Sequence, residues 1–413
     1  MPIVIMAIGL IFLAADVPLG DDYDAILAYL NHPWPERLWH LADFHNEHRI
    51  IPTRIVAEIV YRVLGHIDFR AVMWIGNLGW WLFAAVFARL FLVRGGIVRG
   101  GAIFAMWMLI GFNDKENVFW AMASVQNHWV VVFAFAACLA FVRRADVRWF
   151  AIALAFAVAA TFTSGGGLLI FPALALMAIC DYVFGRERTM NRRRIFRIIV
   201  FLVVAVTASA FMLHGLPHND DPMLVMPTDP VQRAKAAIGF CCCFFGNSIP
   251  LETPAMIIGV IVILWGFLIC GFAPRYRRDS LAVFAFTAYL AATILAASVF
   301  RGNAAAYALA GRYHLLSAAV IVSLAYLTLV EVPISELKKK RLLGLLIAGG
   351  FALSTIYLVR GVPYQYQQRI VLENGISEWP TSDNGLAYPT TESGLDHASA
   401  ILRQSVQRSV YAP

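Results

Sequence analysis

Residues 71–93 read "AVMWIGNLGWWLFAAVFARLFLV", a run whose single charged residue is Arg89. A stretch this long and this apolar restricts folding more than any other feature of the chain. It has the length, about 20 residues, that a helix needs to cross the hydrocarbon core of a bilayer. Comparable runs recur, and the pattern predicts spans at about 2–18, 71–93, 100–112, 118–142, 149–163, 166–184, 198–215, 253–272, 281–299, 315–333 and 342–359. The expected fold class is therefore all-α, a polytopic transmembrane helical protein of about eleven spans. Composition agrees: the 413 residues are 60% hydrophobic and 14% charged, against about 25% charged in soluble domains. An outer-membrane barrel is excluded, because the apolar runs are unbroken where barrel strands alternate.

Charge patterning sets an expected orientation. "RGGIVR" (94–99), "RRADVR" (143–148), "GRERTMNRRRIFR" (185–197), "RYRR" (275–278) and "KKKR" (338–341) occupy every second loop. Lys and Arg flanks resist translocation, so these loops are assigned to the cytoplasm. The N-terminus is then expected inside and the C-terminal tail (360–413) outside. The net charge of +7 is explained by these loops, and no nucleic-acid partner is expected. The opening "PIVIMAIGLIFLAADVPLG" lacks a basic leader and an A-x-A-like site, so it reads as a retained span. The six cysteines, among them "GFCCCFF" (239–245), form no CxxC pattern or disulfide framework. They read as apolar packing.

The opposite set of loops holds the unusual polar residues. It contains "GDDYD" (20–24), "HNEHRI" (45–50), "NDKEN" (113–117), "SGGG" (164–167), "HNDDP" (218–222) and "FRGN" (300–303). "QNHW" (126–129) and "GRYH" (311–314) fall at or just inside the same boundary. Ionisable groups near hydrocarbon are expensive and mark functional sites. A channel or transporter places them near the midplane; clustering at one face favours an enzyme working at the outer leaflet. The expected organisation is one transmembrane domain (1–359) followed by the extracytoplasmic tail (360–413), the latter contributing one amphipathic helix near its end. The first outer loop, about 19–70, carries amphipathic stretches suited to interfacial helices, and a second long loop covers about 215–250.

Several motifs carry chemistry in this frame. In "HNEHRI" a helical spacing puts His45 and His48 one turn apart, with Arg49 beside His45 and Glu47 on a neighbouring face. With Asn46 these residues read as the hydrogen-bonded wall of a binding site, or as the solvated face of an interfacial helix. A pair in H-x-x-H alone is weak evidence for a metal, so no metal or other cofactor is expected, with a divalent ion as the lesser alternative. Arg54 and Glu58, four apart, are positioned to continue the wall. Asp21 and Asp22 follow the first span at once, where a partly desolvated carboxylate suits a general base, although one of them also suits a helix cap. Asn117, Gln126, Asn127 and His128 offer hydrogen bonds at the mouth of a span. Trp120 and Trp129 offer flat faces for a sugar or anchors to lipid. The glycines of "SGGG" read as a close helix joint, with a phosphate nest as the alternative. Arg301 and Arg312 have the planar fork that grips phosphate, and Tyr313 adjoins the second of them.

In this order the motifs resemble the GT-C superfamily, bacterial multi-span glycosyltransferases that take sugar from a polyprenyl-phosphate donor on the extracytoplasmic side. The resemblance rests on the acidic Asp21–Asp22 motif after the first span, the long first outer loop and a late arginine near a tyrosine. "HNEHRI" with the following "PTR", "QNHW", "SGGGLLIFP" and "GRYH" extend it over residues 1–330. It implies an inverting transferase of the bacterial inner membrane that moves sugar to a glycan, lipid or protein acceptor among membrane lipids. The base then falls by matching on Asp21 or Asp22, while Arg301 and Arg312 are placed at the lipid phosphate by role and not by alignment. His45, Asn46, His48, Arg49, Asn117, Trp120, Gln126, Asn127, His128 and Tyr313 take the substrates. The chain departs from the pattern in being short and in concentrating polar residues at 45–49, which makes Glu47 a competing base. The alternatives are a transporter or flippase of lipid-linked sugars, and a non-catalytic member of an envelope-polysaccharide complex.

Overall fold

The structure is a computed structural model. It describes all residues except 184–191, 217–226, 250, 273–276, 302–304, 380, 382–384 and 389–391, and the side chains of 113 and 392. Parts of the basic loops at 185–197 and 275–278, all of "HNDDP" and the last two residues of "FRGN" therefore lie outside the described residues.

Among the described residues the chain is predominantly helical, with one pair of two-residue strands. In order come α1 (Pro2–Leu13), a π-helix (Tyr23–Ala28), α2 (Glu36–His40), β1 (Phe44–His45), β2 (His48–Arg49) and α3 (Ile51–Leu64). There follow α4 (Phe69–Leu92), α5 (Gly101–Leu109), α6 (Lys115–Val118), α7 (Ala121–Phe141), α8 (Val147–Thr161), α9 (Ile170–Val183) and α10 (Arg192–Leu213). The chain closes with α11 (Pro230–Phe245), α12 (Glu252–Cys270), α13 (Arg278–Arg301), α14 (Gly311–Glu331), α15 (Glu336–Glu378) and α16 (Glu392–Gln407). Among the described residues, eight helices are long and apolar enough to cross a bilayer. Three other expected spans coincide with shorter apolar helices, Pro2–Leu13, Gly96–Leu109 and Val147–Thr161.

α4, α7, α13 and α14 form the centre. α4, α7 and α13 meet through Phe83, Phe87, Phe135 and Phe286, with ring centroids 4.8 to 5.6 Å apart in adjacent pairs, and α14 joins them through Tyr326, 5.2 Å from Phe91. By contrast α10, α12 and α15 leave most of their apolar surface outward, as expected of helices that face lipid. The triple cysteine run is buried against this frame at the end of α11. Gly167 explains the closeness of the α8–α9 joint: a Cβ there would stand 1.9 Å from the Ala160 carbonyl oxygen.

The bundle has two chemically different ends. At one, Arg94 reaches Asp279 (3.4 Å) and the Tyr326 hydroxyl (3.0 Å), and Arg144 pairs with Asp181 (2.7 Å). α15 starts beside this end, where Leu343 packs on Gly100. At the opposite end lie the π-helix, the strand pair, the turn at 165–169 and the start of α14.

Two local expectations are overturned, and one helix limit moves. The segment 45–49 is a hairpin, with His45 opposite His48 and Phe44 opposite Arg49. Asn46 turns the chain at φ 49°, a left-handed value that Asn tolerates better than most residues. Arg54 and Glu58 do not pair: Arg54 donates to the carbonyls of His40 (2.9 Å) and Asp43 (2.7 Å), while Glu58 binds Arg37 (3.1 Å) and Arg62 (2.6 Å). The first apolar helix stops at Leu13, so its 12 residues rise about 18 Å. It runs beside the middle of α15, where Pro2 and Met6 share a small void with Trp107 and Ser354.

α15 also runs through the expected membrane boundary at 359. Its 43 residues measure about 65 Å, roughly twice a bilayer core of about 30 Å. Beyond it the chain folds back onto the π-helix. Ala387 accepts from the Gly20 amide (2.7 Å), and Tyr388 and His397 both reach Asp24 at 2.7 Å.

Candidate functional site

Gly20, at φ +53°, makes the turn that lets two adjacent carboxylates diverge. Asp22 points inward and is fully buried. It accepts from the amides of Leu19 (3.1 Å) and Met122 (2.8 Å), and so caps α7 from a hundred residues away. Burial pushes its carboxyl up to about 8, against the pull of those two amides. Asp21 points outward, with 39% of its side chain exposed, and lies 3.7 Å from the His45 ring. Burial works against its charge too, but the hydrogen bond and charge of His45, then Arg312 and His48, outweigh it and hold Asp21 below the usual carboxylate value. Of the adjacent pair, Asp21 is the ionised and accessible member.

The hairpin supplies the facing wall. Cross-strand partners project to the same side of a ribbon, which brings His45 and His48 together. His45 is buried with Asn46 beside it, at 3.4 Å between Nε2 and Nδ2. The Gly165 amide donates to His48 Nδ1 (3.2 Å). That donor fixes the tautomer: Nδ1 is the acceptor, so the proton of the neutral ring sits on Nε2. Burial and the neighbouring His45 push the His48 pKa down to about 4, which keeps the ring neutral. Its Nε2–H lies 3.7 Å from Glu47, and Glu47 is in turn ion-paired with Arg301 at the end of α13. Arg49, on the same hairpin, leaves the site. It donates to the carbonyls of Ala42 and His214 and stacks over Phe44 (4.1 Å) and Phe211 (4.8 Å), tying the hairpin to the end of α10.

A second group lies behind this wall. Asn117 donates to Asp114 (2.5 Å) and to the Arg312 carbonyl (3.0 Å), and accepts from Asn127 (2.7 Å). Asp114 also meets His128 (3.1 Å), whose ring stacks on Trp80 at 5.4 Å. Asp114 and His128 are both buried, and burial raises the Asp114 pKa. Glu116 accepts from the amides of Gly311 (3.1 Å) and Arg312 (3.3 Å). Gln126 is buried on α7 outside this chain of bonds. Trp120 packs on Gly20, and Tyr313 packs on Phe244 at 4.6 Å beneath the Arg312 guanidinium.

Of the residues predicted from sequence, Asp21, His45, Asn46, Glu47, His48, Arg301 and Arg312 share one polar face. Asp22, Arg49, Trp120 and Gln126 serve packing or capping, and Asn117, Asn127 and His128 support the face from behind. Sequence reading did not assign roles to Asp114 or Glu116, and it took Gly165 only as part of a helix joint or a phosphate nest. Nothing along the chain links Glu116 to a helix 195 positions later, although its place in a polar turn beside apolar runs marks it as costly to keep there. Among the described residues, no group of three or more His, Cys, Asp or Glu side chains is arranged to hold a metal ion. Chemically, the face offers an ionised carboxylate able to take a proton, a neutral imidazole donor and two guanidinium groups able to meet an oxyanion.

No protein family, no curated protein and no solved structure matches this chain.

Proposed function

We propose that this chain is a polytopic membrane glycosyltransferase of GT-C type, which moves sugar from a polyprenyl-phosphate donor to a hydroxyl acceptor on a glycan, lipid or protein. In this reading the end bearing Arg94, Arg144 and Lys338–Arg341 lies in the cytoplasm of a bacterial inner membrane, following the positive-inside rule. The Asp21 face lies at the outer leaflet, and the three shorter apolar helices complete a total near eleven spans. The exposed apolar faces of α2 and α3, which include Trp39, Ile59 and Val63, lie in the lipid interface.

One observation carries the proposal. Asp21, accessible and held ionised, faces His45 while its neighbour Asp22 is consumed by capping. In the reaction Asp21 removes the acceptor hydroxyl proton. The freed oxygen attacks the anomeric carbon from the face opposite the phosphate, and the bond from that carbon to the phosphate oxygen breaks. The configuration inverts, and the polyprenyl phosphate leaves with the electron pair. Arg312, and Arg301 at the edge of its pair with Glu47, supply fixed positive charge where the leaving oxyanion develops. That pair engages Glu47 with Arg301, whereas Asp21 has no arginine paired to it among the described residues. A flippase needs a polar path to the other end, and the Phe83, Phe87, Phe135 and Phe286 cluster fills the centre of the bundle along it.

The test uses the full chain in lipid nanodiscs with a panel of radiolabelled polyprenyl-phosphate sugars. Asp21→Asn is expected to lower turnover by at least about 100-fold, the lower range for loss of a general base, with polyprenyl monophosphate binding retained. Turnover at the wild-type rate in this variant would overturn the assignment.

A further inference from the structure

We propose that Glu116 and Asn117 are positioning residues that hold Arg312 at the phosphate-binding face. The inference rests on the reading of Arg312 as the donor-phosphate cation and adds to it the device that aims it.

The two arginines of the face are not equivalent. Arg301 is ion-paired with Glu47. Arg312 makes no ion pair among the described residues; its guanidinium lies over the Tyr313 ring (5.4 Å), and its charge helps hold the Asp21 carboxyl below the usual value. An uncommitted long side chain loses rotamer freedom when it binds, so its backbone anchor governs how much of that loss precedes binding. Here the anchor is held from both sides. The Glu116 carboxylate takes the Arg312 amide proton (3.3 Å) and that of Gly311 (3.1 Å), while Asn117 donates to the Arg312 carbonyl (3.0 Å).

Adjacent residues of a four-residue helix thus grip one residue through its N–H and its C=O. The grip is itself braced. Both Nδ2 protons of Asn117 are used, toward Arg312 and Asp114, and its Oδ1 accepts from Asn127. Because the Arg312 carbonyl can only accept, the orientation of the Asn117 amide is fixed by chemistry. Asp114 is held against His128, and His128 against Trp80. A chain of hydrogen bonds therefore runs from His128 on α7 to the first turn of α14, and a ring stack on Trp80 of α4 backs its far end.

Ordinary capping of α14 would use Glu116 alone and would serve stability only. Positioning makes a different prediction, which a double-mutant cycle reads. The probe is polyprenyl monophosphate, titrated against the full chain in nanodiscs, with thermal unfolding of each variant recorded beside it. Arg312→Ala is expected to weaken binding by about tenfold, and Asn117→Ala by about fivefold. The Asn117→Ala/Arg312→Ala pair should bind no more weakly than Arg312→Ala alone, since without the guanidinium there is nothing left to aim. Glu116→Gln, a smaller change, carries the same prediction where Asn117→Ala fails to fold. Independent, additive losses, or wild-type affinity in both Asn117→Ala and Glu116→Gln, would overturn the positioning role and leave the phosphate reading intact. Wild-type affinity in Arg312→Ala would overturn both.

Discussion

His48 shows how little of a side chain's chemistry is settled by its identity. As one member of H-x-x-H it reads as part of a hydrogen-bonded wall, as a solvated surface group or, more weakly, as a metal ligand. The Gly165 amide removes that freedom by fixing Nδ1 as an acceptor, and burial keeps the ring neutral down to about pH 4. It also makes Gly165 intolerant of a side chain, since a Cβ there would stand 2.9 Å from His48 Nδ1. Gly165→Ala is expected to displace the ring and lower turnover by about tenfold, a positioning-scale loss. His48→Gln should cost less, because its amide can still accept from Gly165 and donate toward Glu47. Equal turnover for Gly165→Ala and wild type would show that the ring has no role at the face. The residue types of the face were legible: Asp21, His45, Glu47, His48, Arg301 and Arg312 all stand out as ionisable groups beside or between apolar runs. Their directions were not. Asp21 and Asp22 are neighbours with the same propensities, and a single glycine turn at φ +53° sends one outward and the other into the core.

At the level of elements, most helix limits follow the hydrophobic pattern, while α15 runs on through polar sequence to Glu378 and the first helix stops short at Leu13. Asp68, Asp146, Asp229 and Ser335 accept from amides of the helices they precede, as local N-caps do. The caps beside the candidate site come instead from afar. Asp22 serves α7 and Glu116 serves α14, so these helices carry no local start signal that sequence could reveal. The hairpin at 45–49 escaped for a related reason: its strands are too short for a period, and Asn46 was the one hint of a turn. Asp22 has a measurable consequence for stability. Its carboxyl keeps its proton up to about pH 8 in the folded chain, whereas an unperturbed aspartate releases it near 3.8. Between those values the folded state binds more protons than the unfolded state, so this contribution is complete below the lower value and lost as pH rises through the upper. Thermal unfolding in detergent should therefore show a falling Tm from about pH 5 to about pH 9, and Asp22→Asn should flatten that dependence. A wild-type Tm that rises over the same range, with Asp22→Asn unchanged in slope, would contradict the buried, protonated assignment.

Across the whole molecule, the two ends divide the chemistry. One gathers arginine pairs such as Arg94–Asp279 and Arg144–Asp181, and the other gathers groups drawn from six separated stretches of chain. Alternating loop charge made this division readable from sequence, because each apolar crossing reverses the side on which the next loop falls. The return of the C-terminal segment onto the π-helix through Asp24, Tyr388 and His397 was not readable, since it depends on contacts more than 360 positions apart. The central claim is that the polar end is a site for a lipid-borne phosphate with Asp21 in reach of the chemistry. It is tested most directly by cryo-electron microscopy of the full chain in nanodiscs with bound polyprenyl monophosphate. The phosphate is expected against the Arg312 guanidinium, on the face shared by Asp21, His45 and Arg301, with the prenyl chain leaving toward lipid. Phosphate density at the opposite end, beside Arg143 and Arg148, with the Asp21 face vacant, would contradict the account.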